Sequence, residues 1–342
     1  MFALRWLIHF DIFSHIPLDK PATYNAIATA ANVPESQLKA VAREAMTSFI
    51  LSEPELNQVT HTAASAMFIR KPLMLDWANY MFGASIPTAQ KSVEQTQKWP
   101  GSVKKNETAY NLAFDHEMDF FQHLSASPEL TKQFSGYMKS VTDGRGTDLE
   151  HMVHGFDWAG LPENALVIDV GGSTGHGTIA LAEAHPHLRF EIQDLEKVVT
   201  NGAELLKTQP EAIASRVSFR SHSFFDPQPV QGADVYFLRM IIHDWPDVEA
   251  LKIISQLAPA LKPHSKIVLM DTVLPTPGQI PVTKERVLRV RDLTMRQVFN
   301  SKERSLDDFE ELLKGVDSRL KLERAHQPDG SHMSLLTVGI DA

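Results

Sequence analysis

Residues 166–175 read Leu-Val-Ile-Asp-Val-Gly-Gly-Ser-Thr-Gly, and this run constrains the fold more than any other. A short, nearly continuous apolar run that meets a cluster of glycines reads as a buried strand ending in a tight turn. A helix to about Ala184 follows it. The same texture recurs downstream. Residues 190–194, 217–220, 234–238 and 266–270 are further strand runs, with a helix over 251–261 between the last two. Strands that alternate with helices build an α/β fold with a mainly parallel, doubly wound sheet. Near the end, 320–323 and 333–338 can add an antiparallel pair.

The 342 residues exceed one ordinary core, so two domains are expected. The texture sets three segments: 1–75, 76–155 and 156–342. In the first, Thr23 can cap a helix through Ala31 that Asn32 ends, 33–36 is a turn, and 37–49 is a second helix. With 58–62 after it, the segment resembles a winged helix. Its second helix offers only Lys39 and Arg43 near its start, too few cations for a DNA-neutralising face. A net charge of −9 points the same way, so nucleic acid is not the expected partner. The opening residues 1–13 are apolar but carry Arg5, His9 and Asp11. They read as an amphipathic helix, with no A-x-A cleavage site behind them, and no membrane span is expected. Zero cysteines remove disulfides, thiolate metal clusters and a cysteine nucleophile. That suits a reducing interior, and a cytoplasmic location is expected. Segment 76–155 reads as helical, with 90–108 a surface loop. Its aromatic stretches around Phe114, His116, Phe134 and Met138 read as core first and pocket second.

In open α/β sheets, ligands bind beyond the carboxyl ends of the strands. Those ends carry Gly171, Gly172 and Gly175, then Asp194, then 239–244, then Asp271. Glycine lets a backbone turn through positive φ and approach a ligand closely. The spacing fits neither G-x-G-x-x-G nor a Walker loop. Asp194, one strand on, can accept both hydroxyls of a ribose, so a ribose-bearing ligand without a pyrophosphate fits. His243, just beyond a parallel strand, can act as a base near neutral pH, and Asp271 can orient its ring by a hydrogen bond. Asp244, Pro246 and Asp247 can cap the following helix. Glu303 precedes Ser305, which with Asp308 reads as a capping box. Arg289, Arg291, Asp292 and Arg296 read mostly as a solvated helix face. No HExxH or HxH pair occurs, His185 and His187 flank Pro186 in a surface turn, and no metal site is expected.

LVIDVGGSTGHGT, FEIQDL, ADVYFLRMIIHDWPD, KIVLMDTVLP and NSKERSLDDFEELL together resemble the caffeic-acid type of S-adenosylmethionine-dependent O-methyltransferases, in wording closest to fungal secondary-metabolism members. The resemblance runs over nearly the whole chain. It implies a Rossmann-like methyltransferase sheet behind an N-terminal, winged-helix-like dimerisation domain, and a homodimer. His243 matches the family's base, with Asp271 and Glu303 as flanking acids. Gly171, Gly172, Gly175, Asp194, Leu195, Ser223, Phe224, Phe225 and Arg239 match the cofactor site. The acceptor pocket falls to Phe114, His116, Phe134, Met138, Met240, Asp244, Arg291, Asp292 and Met295. Ser173 stands where glycine is usual, and Ser223 replaces an Asp near the adenine. The chain begins within the winged-helix region, without the family's preceding dimerisation segment.

The expected reaction moves a methyl group from S-adenosyl-L-methionine to a hydroxyl of an aromatic or polyketide-like small molecule. Phenols lose a proton near ~10 and His near ~6.5, so the transfer needs assistance. Some fungal relatives use the bound cofactor in pericyclic or dehydrating steps without transfer, and that is the second reading. A DNA-binding regulator is the third.

Overall fold

A computed structural model describes residues 1–341 and divides the chain into two compact units. Unit 1 comprises residues 1–90 and 121–143; unit 2 comprises 91–120 and everything from Gly144 onward. The predicted segment 76–155 is thus shared between them, and Ala342 lies outside the described residues.

Unit 1 is helical with a small sheet. Helix Phe2–His9 buries Ala3 and Leu7, as the amphipathic reading of the first residues requires. Thr23 caps helix Tyr24–Ala31 through the amide of Ala26, and Asn32 ends it in the left-handed region. The next helix, Glu35–Met46, begins two residues earlier than predicted and stops three residues short, because Phe49 turns left-handed at φ +60°. Strands β1 (Ala22–Thr23), β2 (Leu51–Glu55) and β3 (Gln58–His61) pair antiparallel in the order β1-β3-β2. Phe13 stacks on Phe68 at 5.1 Å inside the core these elements share. Helix Pro128–Thr142 carries Phe134 and Met138, and Phe134 packs on Tyr80 at 5.7 Å.

Unit 2 holds a seven-stranded sheet of β4 (Leu166–Val170), β5 (Arg189–Asp194), β6 (Val217–Ser221), β7 (Val235–Arg239), β8 (Lys266–Asp271), β9 (Leu320–His326) and β10 (Ser334–Ile340). Its order is β6-β5-β4-β7-β8-β10-β9, with the first five strands parallel and the last two antiparallel. This is the predicted doubly wound α/β sheet with its antiparallel pair. The order reverses beside β4, which places the switch-point crevice at the glycine turn. Val167, Ile168, Val235, Leu238, Ile267 and Leu269 are fully buried between two helical layers. At roughly 1.5–3 kcal/mol for each buried large aliphatic side chain, such strands hold the sheet that aims the site.

Two stretches of unit 2 also differ from expectation. The stretch predicted as a surface loop contains helix Ser92–Lys98, anchored by buried Gln95, whose amide reaches Asn300 and the carbonyl of Glu107, both at 3.3 Å. The helix after His243 starts at Asp247, four residues before the predicted 251.

Candidate active site

The polar residues singled out at strand ends do lie on one edge of the unit 2 sheet. After β4, Gly171 and Gly175 take φ +77° and +81°, which only glycine adopts freely. Gly172 has another reason: a Cβ there would lie 2.4 Å from the carboxylate of Asp169. Asp169 itself is buried, accepts a bond from Thr178, and is pushed up to about 6 by burial. The amides of Gly171 and Gly172 both donate to the carbonyl of Gln193, at 2.8 and 3.3 Å.

Asp194 ends β5. Its two carboxylate oxygens accept the amides of Ser173 at 2.8 Å and Leu195 at 2.7 Å, and burial raises its pKa against those bonds. Each oxygen keeps a second lone pair for a ligand hydroxyl. Leu195, next in the chain, is 62% exposed and presents an apolar surface there. Beyond β6, Ser223, Phe224 and Phe225 form a turn in which the Asp226 amide donates to the Ser223 carbonyl at 2.9 Å. Phe224 and Phe225 meet the ring of Trp245 edge-on at 5.5 and 4.7 Å. Phe224 also flanks the glycine turn, where a Cβ on Gly171 would come within 3.5 Å of its ring.

Arg239 ends β7. Its Nη2 donates to the carbonyl of Thr147 at 3.3 Å, while its buried Nε has no hydrogen-bond partner. Burial lowers its pKa, and the negative charges of Asp169 and Asp271 oppose that. An orphaned buried guanidinium N–H, a diol-ready carboxylate and a glycine turn form a donor set for a ligand that carries both a carboxylate and a ribose.

His243 sits in the 3-10 turn Ile242–Asp244 that follows β7. Its Nδ1–H donates to Oε1 of Glu303 at 3.1 Å, and Nε2 lies 3.6 Å from Oδ1 of Asp244. Burial works to lower the ring's pKa. The charges of Glu303 and Asp244 overcome it, and the imidazolium is pushed up to about 10. Burial pushes Asp271 up to about 7 and Asp244 up to about 6, in both cases against the pull of His243. The hydrogen bond expected from Asp271 to the imidazole is not made. Asp271 is fully buried with neither oxygen hydrogen-bonded, so it acts on the ring through charge, and Glu303 holds the ring instead.

Three residues fix this arrangement; sequence reasoning passed over Arg304 and Asn300 and gave Met240 only a place in the acceptor pocket. Arg304, 1% exposed, donates to the carbonyls of Ile242 and Trp245, both at 2.9 Å, and pairs with Asp247 at 2.6 Å. One residue of the Lys-Glu-Arg run therefore holds the His243 ring and the next holds the backbone of its turn. Asp247 serves that ion pair rather than a cap. Met240 turns the chain out of β7 at φ +56°, a conformation that strains a residue with a side chain. Asn300, left-handed at φ +53°, donates its amide to the carbonyls of Lys104 and Glu107 at 2.7 and 3.1 Å, tying loop 104–107 beside Glu303. Only the Lys-Glu-Arg spelling hinted at any of them.

The predicted pocket residues divide by unit. Asp292 turns inward and accepts the amide of Glu303 at 3.0 Å, and Arg291 reaches Oγ1 of Thr272 at 3.5 Å. At these two positions the helix Val282–Phe299 is not the solvated face expected, because one side of it lies along the catalytic turn. Met295, on the same helix, accepts the Ser301 amide at its carbonyl, 3.3 Å away. Phe114 and His116 pack on Tyr110 at 4.6 and 5.5 Å, and Tyr110 packs on Phe120 at 5.0 Å. Phe134 and Met138 belong to unit 1. His185 and His187 bond the carbonyls of Val153 and Trp158 at 3.3 and 3.2 Å. Among the described residues, no group of three or more His, Asp or Glu is set to hold a metal ion.

Residues 100–317 match the family model described as an O-methyltransferase domain. The O-methyltransferase aurJ of Gibberella zeae is 60% identical over 348 aligned positions, covering 99% of this chain and 79% of that protein. Among solved structures, one described as a pericyclic reaction enzyme is 25% identical with a TM-score of 0.80, over 99% of this chain and 86% of that chain. The LepI complex with SAM has the same identity and TM-score, over 99% of this chain and 85% of that chain.

Proposed function

The chain belongs to the O-methyltransferase domain family, and from that premise we propose that His243 takes the proton from a hydroxyl of an aromatic or polyketide-like metabolite as the oxygen is methylated. It is an S-adenosylmethionine-dependent O-methyltransferase of the fungal secondary-metabolism kind. The observation that carries the role of His243 is the buried Nδ1–H bond to Glu303, which leaves Nε2 as the reactive nitrogen.

S-adenosyl-L-methionine, when bound, supplies an electrophilic methyl group. Gly171, Gly172 and Gly175 would hold its amino-acid part, and the buried Nε–H of Arg239 would be offered to its carboxylate. Asp194 would accept the ribose hydroxyls, and Leu195, Ser223, Phe224 and Phe225 would hold the base. His243 receives the acceptor's proton on Nε2. Glu303, Asp244 and Asp271 stabilise the resulting imidazolium and push its pKa up toward the phenol range of ~10, which lowers the cost of the proton transfer. Positioning supplies much of the remaining acceleration. Met240, Met295, Arg291, Asp292, Phe114 and His116 supply the acceptor wall within unit 2. The expected assembly is a homodimer, and the cysteine-free composition fits a cytoplasmic enzyme.

Pericyclic or dehydrating chemistry without transfer is the weaker reading. The pericyclic structure shares 25% identity, against 60% for aurJ. No helix among the described residues is long and apolar enough to cross a membrane.

The test is to incubate the protein with phenolic acceptors and methyl-labelled S-adenosylmethionine. Label in the product with release of S-adenosylhomocysteine is expected, and product without label would overturn methyl transfer. Replacing His243 with Ala should lower turnover by roughly 10²–10⁴, the usual contribution of a general base. Unchanged turnover would remove His243 from the mechanism.

A further inference from the structure

Two buried glutamines face each other beneath the cofactor-binding edge. Gln193, the residue before Asp194 in β5, is 1% exposed, and Gln228 is 3% exposed. Each side-chain amide donates to the other's carbonyl oxygen, both at 2.9 Å. The second N–H of Gln193 donates to Glu191 at 2.9 Å, and Oε1 of Gln228 also accepts the amide of Val230 at 3.1 Å. The main-chain carbonyl of Gln193 takes the amides of Gly171 and Gly172. One residue thus touches three parts of the cradle: the glycine turn through its carbonyl, Asp194 through the chain, and the 222–228 loop through its side chain.

The loop's two ends are fastened to consecutive residues of one strand. At its front, the amide of His222 donates to the carbonyl of Asp194 at 2.9 Å. At its back, Gln228 joins Gln193. Ser223, Phe224 and Phe225 lie between these two fasteners. A single hydrogen bond leaves a hinge, whereas two reciprocal bonds fix both distance and orientation. A buried amide left unpaired is costly, so the pair holds the loop in one place.

We infer that the Gln193–Gln228 pair is a positioning clamp that sets the shape of the S-adenosylmethionine cradle and thereby its affinity. This rests on the reading of Asp194 and 223–225 as that cradle. A merely structural pair would be replaceable, because two apolar side chains of similar size in place of two bonded polar ones can be nearly neutral for stability.

The probe is S-adenosylhomocysteine, titrated by calorimetry into Gln228→Met and into the double variant Gln193→Met/Gln228→Met, with melting temperatures measured alongside. The clamp predicts about 10-fold weaker binding in both, the scale of two lost neutral hydrogen bonds. The double variant should recover the melting temperature that the single variant loses, but not the affinity. The KM for S-adenosylmethionine should rise by the same factor, while kcat stays within about twofold. Wild-type affinity in the double variant overturns the clamp, and the double variant alone decides if the single one does not fold. Asp194→Asn separates the two levels of the argument. If it weakens binding while the double variant does not, the clamp falls and the cradle stands. If it too binds normally, the cradle reading itself falls.

Discussion

Ser173 holds a backbone angle of φ +53°, in the glycine turn of an exposed loop. A side chain in the left-handed region costs roughly 1–2 kcal/mol, and glycine gives back roughly 0.5–1 kcal/mol of that in chain entropy. Ser173→Gly should therefore stabilise the protein by a few tenths to about 1 kcal/mol. It should also leave the amide bond to Asp194 in place, since that donor is main-chain. Urea unfolding measures the difference, and a loss of stability would refute the strain argument. The family resemblance marked this position, because serine stands there where glycine is usual. Other single-residue signals were equally legible. Thr23, Asn32 and the Ser305/Asp308 capping box all do what their types predict. Side-chain direction was not legible. Asp271 and Glu303 both looked able to bond His243, and only the path of the chain decides that Glu303 does.

The two motifs of the proposed catalytic site, 239–245 and 301–305, are far apart in sequence, yet Arg304 makes them one mechanical unit. Its guanidinium closes the 242–247 turn from beneath, while the Glu303 side chain holds the ring that the turn presents. Arg304→Met would remove the buried donor that Arg304 gives to the Trp245 carbonyl and leave that of Ile242 with the Trp245 amide at 3.2 Å. With Asp247 free to turn to solvent, a loss of about 1–3 kcal/mol is expected, the cost of removing a partner from a buried polar group. In folded protein at reduced temperature, kcat should fall while S-adenosylhomocysteine binding by calorimetry stays within about twofold, because the glycine turn and Asp194 follow β4 and β5 and Arg304 bonds neither. A kcat equal to wild type would show that the turn holds its shape without the clamp. At this scale the strands were readable because apolar runs between turn residues announce them. Helix Ser92–Lys98 was not, since its one buried side chain, Gln95, is polar and hydrophobic periodicity does not register it. The buried glutamine pair escaped for the same reason.

Across the whole molecule, the charges that ready the site act against the fold as pH rises. His243 has a folded-state pKa raised to about 10. A raised imidazolium contributes stability that is fully present below its unfolded value near ~6.5 and is lost as pH rises through the folded value. Asp169, Asp244 and Asp271, raised to about 6, 6 and 7, have the same sign at lower pH. The histidines with lowered pKa values, His61, His123, His185, His222 and His332, have the opposite sign but are neutral in both states well above ~6.5. Tyr24 and Tyr110, raised to about 12, enter only near the phenol value of ~10. Between about pH 7.5 and 9, His243 is thus the dominant group with a resolved shift, and stability should fall there by at most about 1.4 kcal/mol per pH unit. Melting temperatures in that window measure it. The slope should become shallower in His243→Asn, where Asp271, released from the pull of the ring, is the group left to titrate with the same sign; a slope as steep as wild type, or a flat wild-type profile, would defeat the argument. In the proposed mechanism, the proton whose loss weakens the fold is the one His243 must give up to act as a base. Activity therefore rises over the same interval in which stability declines, as expected where catalysis depends on buried like charges held together by one shared proton.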